Sequence, residues 1–535
     1  PAFMTLTRRA VMAWLAGAPL SIAACQSRPV PGAIRGAAMP VGHRLRDATV
    51  ERASGPARRV KIAIVGAGPS GLSAAWRLHR LGQRDFELFD LEPQSGGTSA
   101  YGTDGVVPYP WGAHYVPVPD AENRGLVQLL QEMGALSQSE PTPMGKEALR
   151  IRAPEERVFA DGLWQEGLLP ASRLGPTERE ELRRFEADIA RWSRFRDGQG
   201  RRAFALPVRR CSDAADVTAL DGISALAYLE KLKIRSPAVR WYVEYACRDD
   251  YGLSLEHTSA WAMLFYFASR ARGGGDGSAP FLTWPEGNGR IVRHLSSVAG
   301  SRLRLGRLVT DVVPTPTGAQ LSIFNVKSER LERVDAERVI LAVPKFVVAR
   351  IVRPYREQPP KFLKAFSYGV WLVANLHLSG RPRCKGFEPT WDNVLYDSAS
   401  LGYVVATHQR LKDLGRTVWT YYLPLVDADP KVARRRIMET SHAEFCRTIL
   451  DDLSVAHPDL RDHVERIDVW RWGHAMVRPS VGFQWSGARQ LAQKPLGALH
   501  FAHSDLSGVA LFEEAQDQGL RAAEEVVVAL GARAG

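Results

Sequence analysis

Cysteine is scarce. The 535 residues hold five, at positions 25, 211, 247, 384 and 446. That is too few for a disulfide-built scaffold, and the spacing suits no metal site. Whether Cys211, Cys247, Cys384 and Cys446 stay reduced or pair is left open. No internal repeat is present, which excludes solenoids and propellers. Zinc-finger and RNA-recognition patterns are absent too. The net charge is +12, but Lys and Arg are scattered and not interleaved with aromatics, so no nucleic acid is expected as a partner. The densest cluster, Arg191, Arg194, Arg196, Arg201 and Arg202, reads as a solvated helical face, with an anionic partner or a membrane surface as the alternative. What remains is globular: 45% hydrophobic, 24% charged, and too long for one ordinary core, so two domains are expected.

The first residues read as targeting. Thr7-Arg8-Arg9-Ala10-Val11-Met12 resembles a twin-arginine export motif. The apolar stretch from Ala10 to Ala24, broken by Pro19, is too short to span a bilayer comfortably. Ser21-Ile22-Ala23-Ala24-Cys25 resembles a lipobox, with Cys25 the lipidated residue. An exported, periplasmic protein tethered to the membrane by lipid is the expectation, with an uncleaved N-terminal anchor as the alternative. Gln26 to Arg59, rich in Pro, Gly, Ala and Arg, is expected to be a tether with little structure.

Chemistry begins at Val60. Ile62, Ile64 and Val65 form a short β-branched run, expected as a buried parallel strand. Gly66, Gly68 and Gly71 follow in G-x-G-x-x-G spacing, and a helix is expected from Leu72 to Leu81. Gly66 permits the tight turn, Gly68 lets backbone approach a pyrophosphate, and Gly71 lets helix and strand pack closely. The first turn, Pro69-Ser70-Gly71, then meets the phosphates, with the N–H groups of Ser70 and Gly71 and the helix dipole holding them. A second strand, Asp85 to Asp90, ends in an acid about 20 residues past the third glycine, where a ribose hydroxyl needs an acceptor. The alternative for Asp90 is a solvated carboxylate at a strand end.

Leu91-Glu92-Pro93-Gln94-Ser95-Gly96-Gly97-Thr98 comes next. With it the chain resembles the flavin-containing amine oxidoreductase superfamily, which includes monoamine and polyamine oxidases, L-amino-acid oxidases, protoporphyrinogen oxidase and phytoene desaturases. Its members carry an acid and then Gly-Gly-Arg soon after the second strand; here Thr98 replaces the Arg. The resemblance implies FAD. It also places Gly112-Ala113-His114-Tyr115 beside the flavin ring, the main chain of Val309 against the adenine, and Asp505 near the pyrophosphate and ribitol, with His503 replacing a glycine. Trp470 to Pro479 resembles the stretch that packs a Trp against the flavin. Phe512 opens a closing helix directed at the flavin. No Cys or Tyr stands where a covalent link is usual, so FAD is expected to be non-covalent.

Two departures stand out. The superfamily's lysine beside the flavin has no counterpart, since none lies between Lys364 and Lys385. Leu511 stands where monoamine oxidases have a cage tyrosine. The expected fold is α/β: an FAD-binding, Rossmann-like three-layer domain (59–127, 281–345, 467–535) interleaved with an α+β substrate domain (128–280, 346–466), after a signal (1–25) and linker (26–58). Gly273 to Gly277 reads as a flexible break.

The expected function is an exported FAD oxidoreductase taking a hydride from a C–N bond of a small amine or amino acid, with O2 or a membrane electron acceptor as oxidant. The alternatives are a desaturase or isomerase of an apolar membrane-associated substrate, and a non-catalytic FAD-binding scaffold. The candidate catalytic residues are His114, Trp472, His474 and Arg478, with Arg478 a carboxylate clamp.

Overall fold

The computed structural model describes residues 29–47, 52–137, 143–270, 280–410 and 414–531. The export and lipidation motifs, Cys25 included, and the Gly273 to Gly277 break lie outside the described residues.

The β-branched run at Ile62 to Val65 lies in the strand Ala57–Val65. Its partners are both parallel: Phe86–Phe89 on one side and Arg330–Leu341 on the other. Leu303–Arg304 closes one edge, while Gly318–Asn325 and Arg307–Thr315 extend the other as antiparallel strands. Leu499–Phe501 adds to the end of Arg330–Leu341. Ile62 and Ile64 pack under one layer of helices, Ala63 and Val65 against the opposite layer. A strand covered on both faces has no use for polar alternation, which is why this run is continuously apolar. The helix Pro69–Arg80 follows the glycine turn, and the closing helix Phe512–Ala529 lies across it. Gly519 permits that crossing, since a Cβ there would stand 2.2 Å from the Ser70 carbonyl oxygen.

The second sheet has eight strands, in the order Ile34–Gly36, Val464–Trp472, Trp371–Leu378, Thr417–Pro424, Tyr403–Val405, Asp392–Leu395, Glu156–Ala160 and Leu163–Glu166. Alternation along Trp371–Leu378 divides its faces. Leu372, Ala374, Leu376 and Leu378 meet the outer helices Pro430–Glu439 and His442–Ser454. One amphipathic helix is expected from sequence over Ala433 to Ile449; two form, divided where Ser441 and Glu444 build a capping box. Trp371 and Val373 face the other way, into an aromatic cluster with Tyr245, Trp391 and Tyr422. Helices Pro176–Arg194, Ala225–Lys231, Pro237–Tyr251 and Ala260–Ser269 form a further core beside the sheet. The aromatic stripe of Ala260–Ser269 is part of that core, with Trp261, Met263, Leu264 and Phe265 fully buried.

The expectation of a tether with little structure before the first strand needs correcting for residues 29–47. Ile34–Gly36 is a strand of the second sheet, and short helices follow at Met39–Gly42 and Arg44–Asp47. Composition concealed this because the strand is three residues long and gains its stability from a neighbour's edge.

Candidate active site

The glycine turn sits at the carboxyl end of the parallel strands, where doubly wound sheets take ligands. Gly66 has φ +100°, and a Cβ there would stand 2.6 Å from the Ala342 carbonyl oxygen. At Gly71 it would stand 1.8 Å from the Gly66 carbonyl oxygen. The protein itself therefore requires both glycines. Gly68 differs, because a Cβ there would meet nothing within 4 Å. The space it leaves is of use only to a ligand. Gly68 opens the helix Pro69–Arg80 without a side-chain cap, and the Ser70 hydroxyl is buried without a partner. Free N–H groups and an unused hydroxyl at a helix start suit a pyrophosphate.

The neighbouring loops fit the same ligand. Gly97, with φ +53°, comes within 3.4 Å of the Gly68 Cα, measured from its ideal Cβ position. The carbonyl of Thr98 accepts from Ala113 N–H at 2.9 Å, and at Gly112 a Cβ would stand 2.3 Å from that same oxygen. The Gly96-Gly97-Thr98 loop thus holds the Gly112-Ala113 segment in place. The carboxylate of Asp90 accepts from Ala67 N–H and from Glu92 N–H. Burial raises its pKa, against the pull of those two bonds. Val309 lies in a buried strand where the register shifts before Asp311.

At the far end of the crevice, Asp505 accepts from Lys345 N–H at 2.8 Å and from the Tyr368 hydroxyl at 2.6 Å, with the His503 ring at 3.0 Å. Burial pushes its pKa up, but His503 and these bonds outweigh burial and hold it below the usual range. His503, where the superfamily has glycine, keeps a glycine-like backbone at φ +132°. Phe512 is buried at the start of the closing helix, whose N-cap residue Leu511 supplies no side-chain cap.

His114 and Trp472 share one site. The indole N–H of Trp472 donates to the Trp111 carbonyl at 2.7 Å, and the Tyr422 hydroxyl donates to the Gly112 carbonyl at 2.8 Å. The His114 ring packs 4.9 Å from Tyr422, 5.2 Å from Trp391 and 5.1 Å from Tyr115. Burial lowers its pKa to about 4, so it is neutral at ordinary pH. His474 and Arg478 do not pack on the His114 ring; His474 lies 5.9 Å from Tyr368, the residue that donates to Asp505. His474 is exposed and stacks on Phe346 at 4.3 Å. Burial lowers the pKa of Arg478, with Asp429 opposing and Arg434 adding. Neither is among the groups facing His114.

Sequence reasoning missed the acids of this site. Asp249, Asp392 and Glu156 are each partly buried, and burial is the largest influence on the ionisation of each. Tyr245 donates to Asp392 at 3.1 Å. Among the described residues none of the three has an ion-pair partner, and the carboxylates of Asp249 and Glu156 accept no hydrogen bond. Asp250 contrasts with them, since it pairs with buried Arg270 at 2.8 Å. Burial raises the pKa of Asp249 well above normal, the charges of Asp250 and Asp392 add to it, and Arg270 and Arg248 oppose it. Burial and then Glu156 push Asp392 to about 8. Burial, then Glu155 and Asp249, push Glu156 to about 7. Mutual repulsion of this kind requires proximity. Around them stand Tyr242, Tyr245, Trp391 and Tyr422. Asp249 and Asp392 were visible in the sequence as charges between apolar runs, but nothing in the sequence joined them to Glu156.

The glycine turn that suits a pyrophosphate thus stands beside a packed aromatic cluster that includes Tyr245, Trp391 and Tyr422. Residues 69–527 match the model of the flavin containing amine oxidoreductases. The chain belongs to that family, and its cofactor is FAD. Oxidoreductase PigB of Serratia sp. (strain ATCC 39006) is 24% identical over 290 residues, which is 51% of this chain and 41% of that protein. The chain thus spans less than half the length of this curated relative. Among solved structures, putrescine oxidase bound to putrescine is 19% identical with a TM-score of 0.65, covering 88% of this chain and 100% of that one. Cyclohexylamine oxidase from Brevibacterium oxydans IH-35A is 16% identical with a TM-score of 0.62, covering 88% and 99%. A conjugated-linoleic-acid-producing fatty acid isomerase from P. acnes is 15% identical with a TM-score of 0.61, covering 88% and 98%. At these identities the three establish the fold alone.

Proposed function

We propose that the protein oxidises a cationic amine at its C–N bond. The observation that carries this is the set of unpaired buried carboxylates, Asp249, Asp392 and Glu156, in an aromatic chamber beside Gly112 to Tyr115. Buried charge of one sign requires an opposite charge. An ammonium group supplies it, and the rings of Tyr245, Trp391 and Tyr422 favour the same cation. An apolar substrate would leave the carboxylates protonated and without a part in binding, which weighs against the desaturase and isomerase readings.

Gly68, Ser70 and the Gly96-Gly97 loop would hold FAD, which would supply the hydride acceptor when bound. The chain's own residues prepare the substrate. An ammonium nitrogen cannot assist loss of the neighbouring hydrogen until it gives up a proton. Asp392 holds a proton in the empty site, with its pKa raised to about 8; once a bound ammonium has displaced that proton, the ionised carboxylate is the acceptor. That provides a base in a chain that lacks the family lysine. His114 stays neutral and packs on Tyr422 and Trp391, while Trp472 fixes the Trp111 carbonyl and Tyr422 the Gly112 carbonyl.

The test is anaerobic absorbance of the FAD-loaded protein against amines, polyamines, amino acids and apolar polyenes. Amines should bleach the flavin band, and Asp249→Asn should slow the bleaching. Bleaching by polyenes alone would sink the proposal.

We also propose, from Thr7 to Met12 and Ser21 to Cys25, that the protein is exported and lipid-anchored, with O2 or a membrane carrier as the oxidant. Among the described residues no helix is long and apolar enough to cross a membrane.

A further inference from the structure

Residues 29–47 precede the part of the chain that the family model matches. We propose that they form a clasp over the adenosine half of the FAD crevice. FAD then enters before the clasp seats and leaves only when it lifts. The inference rests on FAD occupying the crevice.

The segment is fastened to both sheets. Ile34–Gly36 pairs in parallel with Val469, Trp470 and Arg471 at the edge of the second sheet. Ala33 N–H donates to the buried Asp468 carboxylate at 3.0 Å. Gly32, at φ +130°, lies so close to this edge that a Cβ would stand 1.9 Å from the Ile467 carbonyl oxygen.

The chain then crosses to the first sheet. Ala38 N–H donates to Glu92, 3.0 Å from each carboxylate oxygen. Glu92 N–H donates in turn to Asp90, the ribose acceptor, at 2.8 Å. Gly42 lies against Leu91. The Arg44 guanidinium covers the Phe324 ring at 4.2 Å, and Leu45 enters the core that contains Val309. Phe324 and its neighbour Ile323 pair with Leu308 and Val309, the adenine-side strand. The helix Arg44–Asp47 finishes beside the helix Lys345–Ile351. Within about fifteen residues the segment touches the neighbour of the ribose acid and the core behind the adenine. Asp90 itself is only partly buried. A short edge strand and a few hydrogen bonds open more readily than the sheets they join, which makes this a local gate.

Two substitutions in the full, FAD-loaded chain test the idea. Gly32→Val drives a side chain into Ile467 and lifts the clasp from the sheet edge. Ala38→Pro removes only the N–H that Glu92 accepts, at a residue whose φ of −66° proline tolerates. Free-flavin fluorescence after dilution reads FAD release, and trypsin cleavage at Arg35, Arg44 and Arg46 reads whether the clasp has lifted. Both variants should be cleaved there and should release FAD roughly tenfold faster or more, as loss of hydrogen bonds to charged groups implies. Flavin still bound should keep its absorbance spectrum, and the melting temperature of FAD-free protein should stay close to that of the parent. Release at the parental rate from a variant whose clasp is cleaved overturns the proposal, as does parental release from both variants. A parent chain that binds no flavin at all would instead count against the FAD reading.

Discussion

If the chamber binds an ammonium group, binding must be linked to proton release, and Asp392 sets the size of the effect. Its pKa rises from 3.8 to about 8 in the empty chamber. Four units correspond to about 5 kcal/mol for ionising it there. A cation about 4 Å away, at an effective dielectric near 20, returns about 4 kcal/mol. The two nearly cancel, so at pH 7 the empty site holds a proton that a bound ammonium displaces. Glu156, at about 7, adds a fraction of a second proton. Affinity should rise up to about tenfold per pH unit and per carboxylate from about pH 6 to pH 8, then level off. Asp392→Asn should remove one proton from this linkage and weaken binding at pH 8.5 by roughly 100-fold or more, from the lost Coulomb attraction. Calorimetry of a non-oxidisable amine in buffers of different ionisation heat counts the protons directly. No release at pH 7, or equal release by Asp392→Asn, would refute the assignment.

The same groups govern stability. Asp392 and Glu156 bind protons more tightly folded than unfolded, so their contribution is complete below about pH 4 and is lost as pH rises through about 7 and 8. The amine-free protein should melt lower at pH 9 than at pH 6, and a bound amine should narrow the gap. Gly68 and Gly71 separate ligand need from fold need: Gly68→Ala should fold normally with lowered FAD occupancy, whereas Gly71→Ala should cost several kcal/mol in urea melts with or without FAD. Asp90→Ala should lose FAD, and full yellow occupancy would contradict its ribose role. Cys25→Ser should move the protein from the membrane fraction to the soluble one; continued sedimentation with membranes would discard the lipid anchor.

How much was legible depended on sequence distance. The strand, turn, helix, strand and acid from Val60 to Asp90 arise from local rules acting over a few residues each, and the structure has them where the pattern places them. The closing helix from Phe512 was legible for the same reason. The chamber was not. Glu156 comes from the strand next to one edge of the second sheet, Asp392 from the adjacent strand through parallel pairing, and Asp249 from the last turn of a helix. Parallel neighbours can be joined by any length of chain, so spacing carries no trace of their meeting. Each acid, read alone, was another polar residue between apolar ones.

The chain lacks the family's lysine and a cage tyrosine, with Leu511 at the tyrosine's place. The structure permits a different accounting. Lysine beside a flavin and tyrosines around an amine answer two needs, proton handling and cation binding. Here one cluster can answer both, because a carboxylate held near pH 8 attracts the ammonium when ionised and takes its proton when the amine must become neutral. Tyr245 grips Asp392 from one side and Tyr422 grips the Gly112 backbone from another, so the chamber and the flavin-facing segment share a wall. This coupling makes a sharper demand than family membership does. Tyr422→Phe keeps the ring but frees the Gly112 carbonyl, so it should leave amine affinity nearly intact while slowing flavin bleaching about tenfold or more, since small misplacements at a reacting centre weigh heavily on rate. Stopped-flow absorbance at saturating amine separates the two effects. If affinity falls and the rate at saturation does not, the hydroxyl serves the cation, and the shared wall is not what aligns the substrate.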